Sequence, residues 1–378
     1  MRRRFLAGLG FLVGFGFLTT ACGSAPVVAT PPPVSLISRI PGRPTSVFEV
    51  GRHPWVAVLT ARGLVVQQIG SHQRAQVLTP RSSFACVGSG RFQELGSDLV
   101  VTGCRSVWLL EHHRWRKSSL PGLMSSLAGT TYQWWALAYG AAAGDLQQVT
   151  LWRSQNDGAT WQRVARSALR PSALPEAEIK TGLGLASSGD LWLTGILFGE
   201  GHIQIFHGTE NGTRWQPLQL SVPHAWSEAE LEPYPPISLG RLTYLPVLVE
   251  GPQQALALYR KSDTSPSWTL YGALMSPIES APWSLALASA RTLWVAVGRT
   301  LWVSRDRGRK WTRVWRLPLG WQWIAVTFST PRNGTVLAVR WEAHANAAFG
   351  PARAYALWTT ADAGATWQTV TSAMLSRP

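Results

Sequence analysis

Four octets repeat along this chain without gaps, and they constrain its fold more than any other feature. They are Ser154-Gln-Asn-Asp-Gly-Ala-Thr-Trp161, Gly208-Thr-Glu-Asn-Gly-Thr-Arg-Trp215, Ser304-Arg-Asp-Arg-Gly-Arg-Lys-Trp311 and Thr360-Ala-Asp-Ala-Gly-Ala-Thr-Trp367. Their spacings are 54, 96 and 56 residues, and a degenerate copy, Lys261 to Trp268, splits the long gap into 53 and 43. The chemistry is that of a turn. Ser154, Ser304 and Thr360, with Asn156, Asp306 and Asp362, carry short polar side chains that bond nearby backbone. Gly158, Gly212, Gly308 and Gly364 supply a positive φ without steric cost. Trp161, Trp215, Trp311 and Trp367 open the following strand and are expected to bury their rings between layers. Apolar residues precede each octet, for example Thr300-Leu-Trp-Val303 and Tyr355-Ala-Leu-Trp358, so each octet joins two antiparallel strands.

A second turn and strand lie upstream of each octet: Ser188-Gly-Asp190 before Leu191, Ala290-Arg-Thr292 before Leu293, Arg332-Asn-Gly334 before Val336. The first third keeps the same metre without octets, through Trp55–Leu59, Leu64–Gln67, Leu99–Thr102 and Ser106–Leu110. Strand-rich units of this length predict an all-β propeller. The expected form is seven blades of four antiparallel strands, starting near residues 44, 82, 124, 172, 236, 278 and 321; six or eight blades fit the same metre. Arg166–Lys180 and Val222–Ser238, rich in Pro, Ala and Glu, read as long inter-blade loops, the second with a helical turn at Ser227–Leu231.

The octet resembles the Asp-box, or BNR repeat, Ser-x-Asp-x-Gly-x-x-Trp. The copy at 304 matches fully, that at 360 has Thr for Ser, and that at 154 has Asn at the Asp position. The resemblance covers nearly the whole chain after its leader and implies a propeller.

The leader is read from its own chemistry. Arg2, Arg3 and Arg4 precede an apolar run, Phe5–Leu18, shorter than the roughly 20 residues that span a bilayer. Small residues then lead to Cys22, as in a secretory signal. The pattern Leu18-Thr-Thr-Ala-Cys22 resembles a bacterial lipobox, which implies acylation of Cys22. The expected organisation is therefore a signal peptide, 1–21; a lipidated Cys22 and Pro-rich tether, 22–43, in which Val34–Ile40 could close the ring; and a propeller, 44–378. Export makes Cys86 and Cys104 a disulfide candidate.

Composition agrees with a large ordered core: 46% hydrophobic residues, 15% charged, 21 tryptophans and 35 glycines. The formal charge is +15, and +12 once the leader's three arginines are gone. The basic residues read as singly scattered, which with export argues against nucleic acid and favours an envelope protein, an anionic polymer or anionic lipid.

Asp-box propellers include sialidases, and Arg39-Ile40-Pro41 resembles the arginine motif of that family, which implies a grip on a substrate carboxylate. The family also needs an acid/base Asp soon after this motif, yet no Asp lies between Arg39 and Asp98. Asp157, Asp263, Asp306 and Asp362 belong to octets; Asp98, Asp145 and Asp190 precede strands. Tyr355 and Glu342, the nearest thing to a nucleophile pair, sit close to the last octet. Glu228, Glu230 and Glu232 read as a solvated loop, and His112-His113 lacks metal-ligand spacing. His202 and His207 flank a strand as satisfied polar groups, and Trp134-Trp135 and Trp321-Trp323 could serve as contacts or core.

No catalytic, cofactor or metal residue is therefore assigned, and the chain is expected to bind rather than catalyse. Its architecture is most similar to the photosystem II assembly and stability factors, which implies a membrane-protein partner. A sialidase-like hydrolase and a wall-polymer or carbohydrate-binding module are the alternatives.

Overall fold

The structure, a computed structural model, describes residues 43–370 except 51–52, 61–62, 69–75, 81–91, 96–97, 104, 112–113, 144–145, 171, 177–178, 187, 197–202, 240, 252, 263–266, 276–282 and 342–351. Cys22, the tether, Val34–Ile40, Arg39-Ile40-Pro41, Cys86, Cys104, His112-His113, Asp145, His202, Asp263 and Glu342 lie outside these residues.

The chain forms a seven-bladed β-propeller in which every blade is a contiguous antiparallel meander. Blade 1 comprises Arg43–Val50, His53–Thr60, Gly63–Gln68 and Gln76–Pro80. Blade 2 comprises Phe92–Leu95, Asp98–Thr102, Ser106–Glu111 and Arg114–Ser119, and blade 3 Leu123–Gly129, Trp134–Ala143, Leu146–Ser154 and Gln162–Arg166. Blade 4 is Ile179–Leu185, Leu191–Ile196, Ile203–Thr209 and Arg214–Leu218. In blade 5 the innermost strand is split, Glu230–Pro233 and Ile237–Leu239 both pairing with Leu242–Glu250, followed by Ala255–Ser262 and Thr269–Met275. Blade 6 is Trp283–Leu287, Leu293–Val297, Thr300–Ser304 and Thr312–Arg316; blade 7 is Trp321–Phe328, Gly334–Trp341, Ala352–Thr360 and Gln368–Thr369.

The seven units and most of their starting points agree with the sequence reading, but Val222–Ser238 does not. Instead of a loop with a helical turn at Ser227–Leu231, it holds a 3-10 turn at His224–Trp226 and then the inner strand of blade 5. Pro235 and Pro236 lack N–H donors, so the strand breaks there and resumes at Ile237.

Each seam between blades has its own apolar core. Val47, Val56 and Val58 of blade 1 pack with Leu337, Val339, Tyr355 and Leu357 of blade 7, which closes the ring by packing among the described residues. The seam between blades 6 and 7 is richest in tryptophan, with Trp294, Trp315, Trp321, Trp323, Trp358 and Trp367 in one cluster. Hydroxyls on the inner strands tie neighbouring blades together. Ser126 Oγ accepts from Leu183 N at 3.0 Å, and Ser284 Oγ accepts from Val326 N at 3.2 Å. Ser238 Oγ donates to Leu185 O at 2.9 Å. Each such bond satisfies a backbone group on an inner strand, which has a sheet neighbour on only one side.

The octets are the turns between third and fourth strands, as expected. Three are superimposable in their bonding. In blade 6, Ser304 Oγ donates to Asp306 Oδ1 at 2.8 Å and accepts from Gly308 N at 2.7 Å, while Lys310 N donates to Asp306 Oδ1 at 2.9 Å. Thr360, Asp362, Gly364 and Thr366 repeat this at 2.8, 2.9 and 2.8 Å. Ser154, Asn156, Gly158 and Thr160 do so at 3.0, 2.9 and 2.9 Å. The octet of blade 4, with Gly208 and Glu210 in the first and third positions, turns through a 3-10 segment, Glu210–Gly212, instead. The residue before each glycine shares its left-handed conformation: Asp157, Asn211, Arg307 and Ala363 have φ between 53° and 69°. Trp215, Trp268 and Trp367 are buried as expected, whereas Trp161 and Trp311 are only half-buried, a correction to the expectation that every ring is covered.

These bonds make a pH prediction. The amide of Lys310 and the Ser304 hydroxyl hold the Asp306 carboxyl below the usual range. Burial pushes Asp362 upward, but the hydroxyl and amide of Thr366 and the Thr360 hydroxyl outweigh it, and its net shift is also downward. A carboxyl depressed in the folded state contributes stability that is complete above the unfolded pKa of about 4 and is lost as pH falls through the folded value. The double variant Asp306→Asn/Asp362→Asn should therefore show a flatter urea midpoint than the parent between about pH 3 and pH 6. Asn156 already makes the same acceptor bond, so asparagine is compatible with the turn. Equal slopes for parent and variant would refute the contribution.

Candidate functional site

Turns joining strands 1–2 and 3–4 emerge on one face of an antiparallel blade, so the octets and the upstream turns share a face. Backbone bonds confirm it: Arg307 N donates to Arg291 O at 2.8 Å in blade 6, and Ala363 N donates to Arg332 O at 2.9 Å in blade 7. Each octet also docks sideways. In blade 3, Arg116 of the preceding blade donates to Asp157 O at 2.8 Å, and Trp161 Nε1 donates to Ser118 Oγ at 2.9 Å. Ser118 Oγ in turn donates to Gly158 O.

Blade 6 makes this face strongly basic. Residues 299–316 hold seven cations, Arg299, Arg305, Arg307, Arg309, Lys310, Arg313 and Arg316, against one acid, Asp306. This corrects the reading of the basic residues as singly scattered. Arg299 is turned to the opposite face, where its guanidinium donates twice to Leu317 O at 2.7 and 3.0 Å. Arg305, Arg309, Lys310 and Arg313 are exposed, as is Arg291 beside them. Among the described residues, none of these five meets a carboxylate within ion-pair distance. Asp306 is occupied by its own turn, so the charge stays uncompensated.

At the edge of this surface, Arg260 and Arg309 both lie over Tyr271, at 4.0 and 4.8 Å from its ring centroid. Burial raises the pKa of the neighbouring Tyr244, against the opposing influence of Arg260 and Arg307. Burial likewise pushes Tyr259 up to about 12.

The other expected residues fall elsewhere. Trp134, Trp135, Trp321 and Trp323 are core, each under 5% exposed, and Tyr355 is buried in the closing seam. Glu230 and Glu232 are not a solvated loop but lie on the inner strand of blade 5, Glu230 opposite Glu250. Burial raises the Glu232 pKa; a hydrogen bond with Tyr234 opposes it, and Glu250 and Glu230 reinforce it. Tyr234 packs edge-on against Trp283 of blade 6 at 4.4 Å. His207 lies within its strand, stacked on Trp192 at 4.5 Å, with Nε2 3.3 Å from Asp190 Oδ1. A shallow cleft of about 240 Å³ opens over the blade 3 octet, lined by Arg153, Gln155, Asn156, Thr160, Trp161 and Gln162. Among the described residues there is no cluster of three or more metal-ligating side chains, and no helix long and apolar enough to cross a membrane.

No family model matches the chain, and no curated protein does. Solved structures match by fold. A puromycin-hydrolysing peptidase of Mycobacterium tuberculosis aligns at TM-score 0.54 and 13% identity, over 92% of this chain and 56% of that one. The extracellular domain of the two-component system BT4673 from B. thetaiotaomicron aligns at 0.51 and 10%, over 80% and 38%. PorZ, a surface component of the type-IX secretion system of Porphyromonas gingivalis, aligns at 0.50 and 13%, over 89% and 39%. The chain thus spans less than two thirds of each, and the likeness establishes the propeller and not an activity.

Proposed function

We propose that this chain is a non-catalytic binding scaffold, held at the outer face of a bacterial membrane by acylated Cys22, and that it recognises an acidic envelope protein through the octet face of blade 6. The uncompensated cations of that face carry the reading. Four of the five exposed cations, Arg291, Arg305, Arg309 and Arg313, are arginines, whose planar forks suit carboxylates, and surface cations without partners steer acidic ligands rather than stabilise the fold. The setting outside the cytoplasm rests on the leader and is compatible with the extracellular and surface neighbours.

The sialidase-like alternative draws on one observation, the hydrogen bond between Glu232, on the inner strand of blade 5, and Tyr234 just beyond its end. Against it, the Tyr234 ring is engaged by Trp283 in the seam between blades 5 and 6.

The test uses the full chain, expressed with its leader. Cys22→Ala should move the protein from the membrane pellet to the soluble fraction. An acidic envelope protein should co-isolate with the parent, and the yield should fall about tenfold in Arg305→Glu/Lys310→Glu. Arg163→Glu/Arg166→Glu, an equal charge change on the outer strand of blade 3, should retain it. Equal loss in both reversals would reduce the effect to net charge. Turnover of a fluorogenic sialoside that disappears in Glu232→Gln would replace the scaffold by the hydrolase.

A further inference from the structure

We propose that the seam between blades 5 and 6, on the octet face, is a binding site for a tetrahedral oxyanion, a phosphate or sulfate group carried as a monoester. The inference deepens the binding reading and rests on it only for where such a ligand would be met.

Sheet register builds one side of the site. Tyr244 and Arg260 are direct cross-strand partners in blade 5, so their side chains stand together on one face of the sheet. The Arg260 guanidinium covers Tyr271 of the next strand. The octet of blade 6 builds the other side. It approaches so closely that a Cβ on Gly272 would lie 2.0 Å from Gly308 O, which leaves only glycine at that position. The approach delivers Arg309 onto the same Tyr271 ring. Two guanidiniums from different blades thus share one aromatic ring, with no carboxylate within ion-pair distance of either among the described residues.

What the site lacks is an acceptor. The Tyr244 side chain is fully buried, and its hydroxyl has no hydrogen-bond partner. Like any tyrosine phenol it is protonated at neutral pH, and so it can donate. Arg260, Arg307 and Arg309 add donors, and Asp306, the one acid on the turn, is spent on Ser304 and Lys310. A buried donor left unsatisfied is costly, and guanidiniums close together repel. A group with several oxygens and a negative charge relieves both. Donors arriving from two blades, with the Tyr244 phenol on the same sheet face as Arg260, can be shared among the several oxygens of a tetrahedral oxyanion.

The experiment is thermal unfolding of the full chain in about 10 mM inorganic phosphate or sulfate, against chloride at matched ionic strength. A selective ligand raises the melting temperature by mass action, here by about 2–4 °C. Arg260→Gln/Arg309→Gln should abolish the difference. Tyr244→Phe should reduce it while leaving the unliganded melting temperature within about 2 °C of the parent, because it removes an unsatisfied group. Glycerol 1-phosphate and a monosulfated monosaccharide then separate a lipid headgroup from a sulfated glycan as the source. Chloride acting as well as phosphate and sulfate, or a shift undiminished in the double Gln variant, would overturn the site. Loss of the site with the Arg305/Lys310-dependent co-isolation intact would leave the scaffold reading standing, and the reverse result would remove the scaffold alone.

Discussion

Gly364→Ala should destabilise the protein by about 2–5 kcal/mol, among the largest effects of any single methyl group added to this fold. Two independent costs meet at the position. Gly364 has φ +79°, where an L side chain costs about 1–2 kcal/mol. The added Cβ would also fall 2.3 Å from Trp294 Cη2 and 2.7 Å from Cζ2. That ring cannot yield, since it is fully buried, stacked on Phe328 at 4.9 Å and met edge-on by Trp367 at 5.9 Å. Overpacking of this kind adds about 1–3 kcal/mol. Gly189→Ala is the control: its φ is +88°, but nothing lies within 4 Å of the added carbon, so only the backbone cost applies. Urea unfolding of the two variants separates the contributions. Equal losses would mean that Trp294 moves aside.

The same octet explains why so much of the fold was legible in the sequence. Its bonds run between residues two and four apart, so the turn is written in eight consecutive letters. Blades 1 and 2, without octets, were still readable from alternating apolar runs, because a blade repeats the same strand pattern. The inner strand of blade 5 was not readable, since Glu230, Glu232, Pro235 and Pro236 have a loop's composition. Leu231 and Pro233 are nevertheless buried against the neighbouring blade, a fact of tertiary packing that no local pattern carries.

The candidate site divides in the same way. The run of arginines at 305–313 stands in the sequence and is missed only when basic residues are counted singly. Its convergence with Arg260 and Tyr271 cannot be read there, because the partners come from blades 5 and 6 and meet only when Gly272 and Gly308 touch. Octets therefore have two roles in this ring. Their Ser, Asp and Gly positions build the turn, and the variable positions between them face outward, where blade 6 fills four with Arg305, Arg307, Arg309 and Lys310. Blade 7 fills the same four with Ala361, Ala363, Ala365 and Thr366, so the same scaffold there carries no cation.

Trp358→Ala is expected to cost about 4–5 kcal/mol. Trp358 is fully buried on the third strand of blade 7, and its ring meets Trp315 edge-on at 4.7 Å and Trp323 at 5.5 Å. Removing a buried tryptophan loses its transfer energy and leaves a cavity, together about 3–5 kcal/mol, and the loss of two ring pairs places this site at the upper end of that range. Trp315 belongs to blade 6, so the damage is to a seam rather than to one blade. Repeat folds draw stability from each unit and from each interface between units. Amide exchange should therefore accelerate in Leu293–Val297 and Thr300–Ser304 of blade 6 as well as in Gly334–Trp341 of blade 7, while Leu191–Ile196 on the far side of the ring stays protected. Acceleration confined to blade 7 would mean that the blades are stable alone and that the tryptophan seam only aligns them.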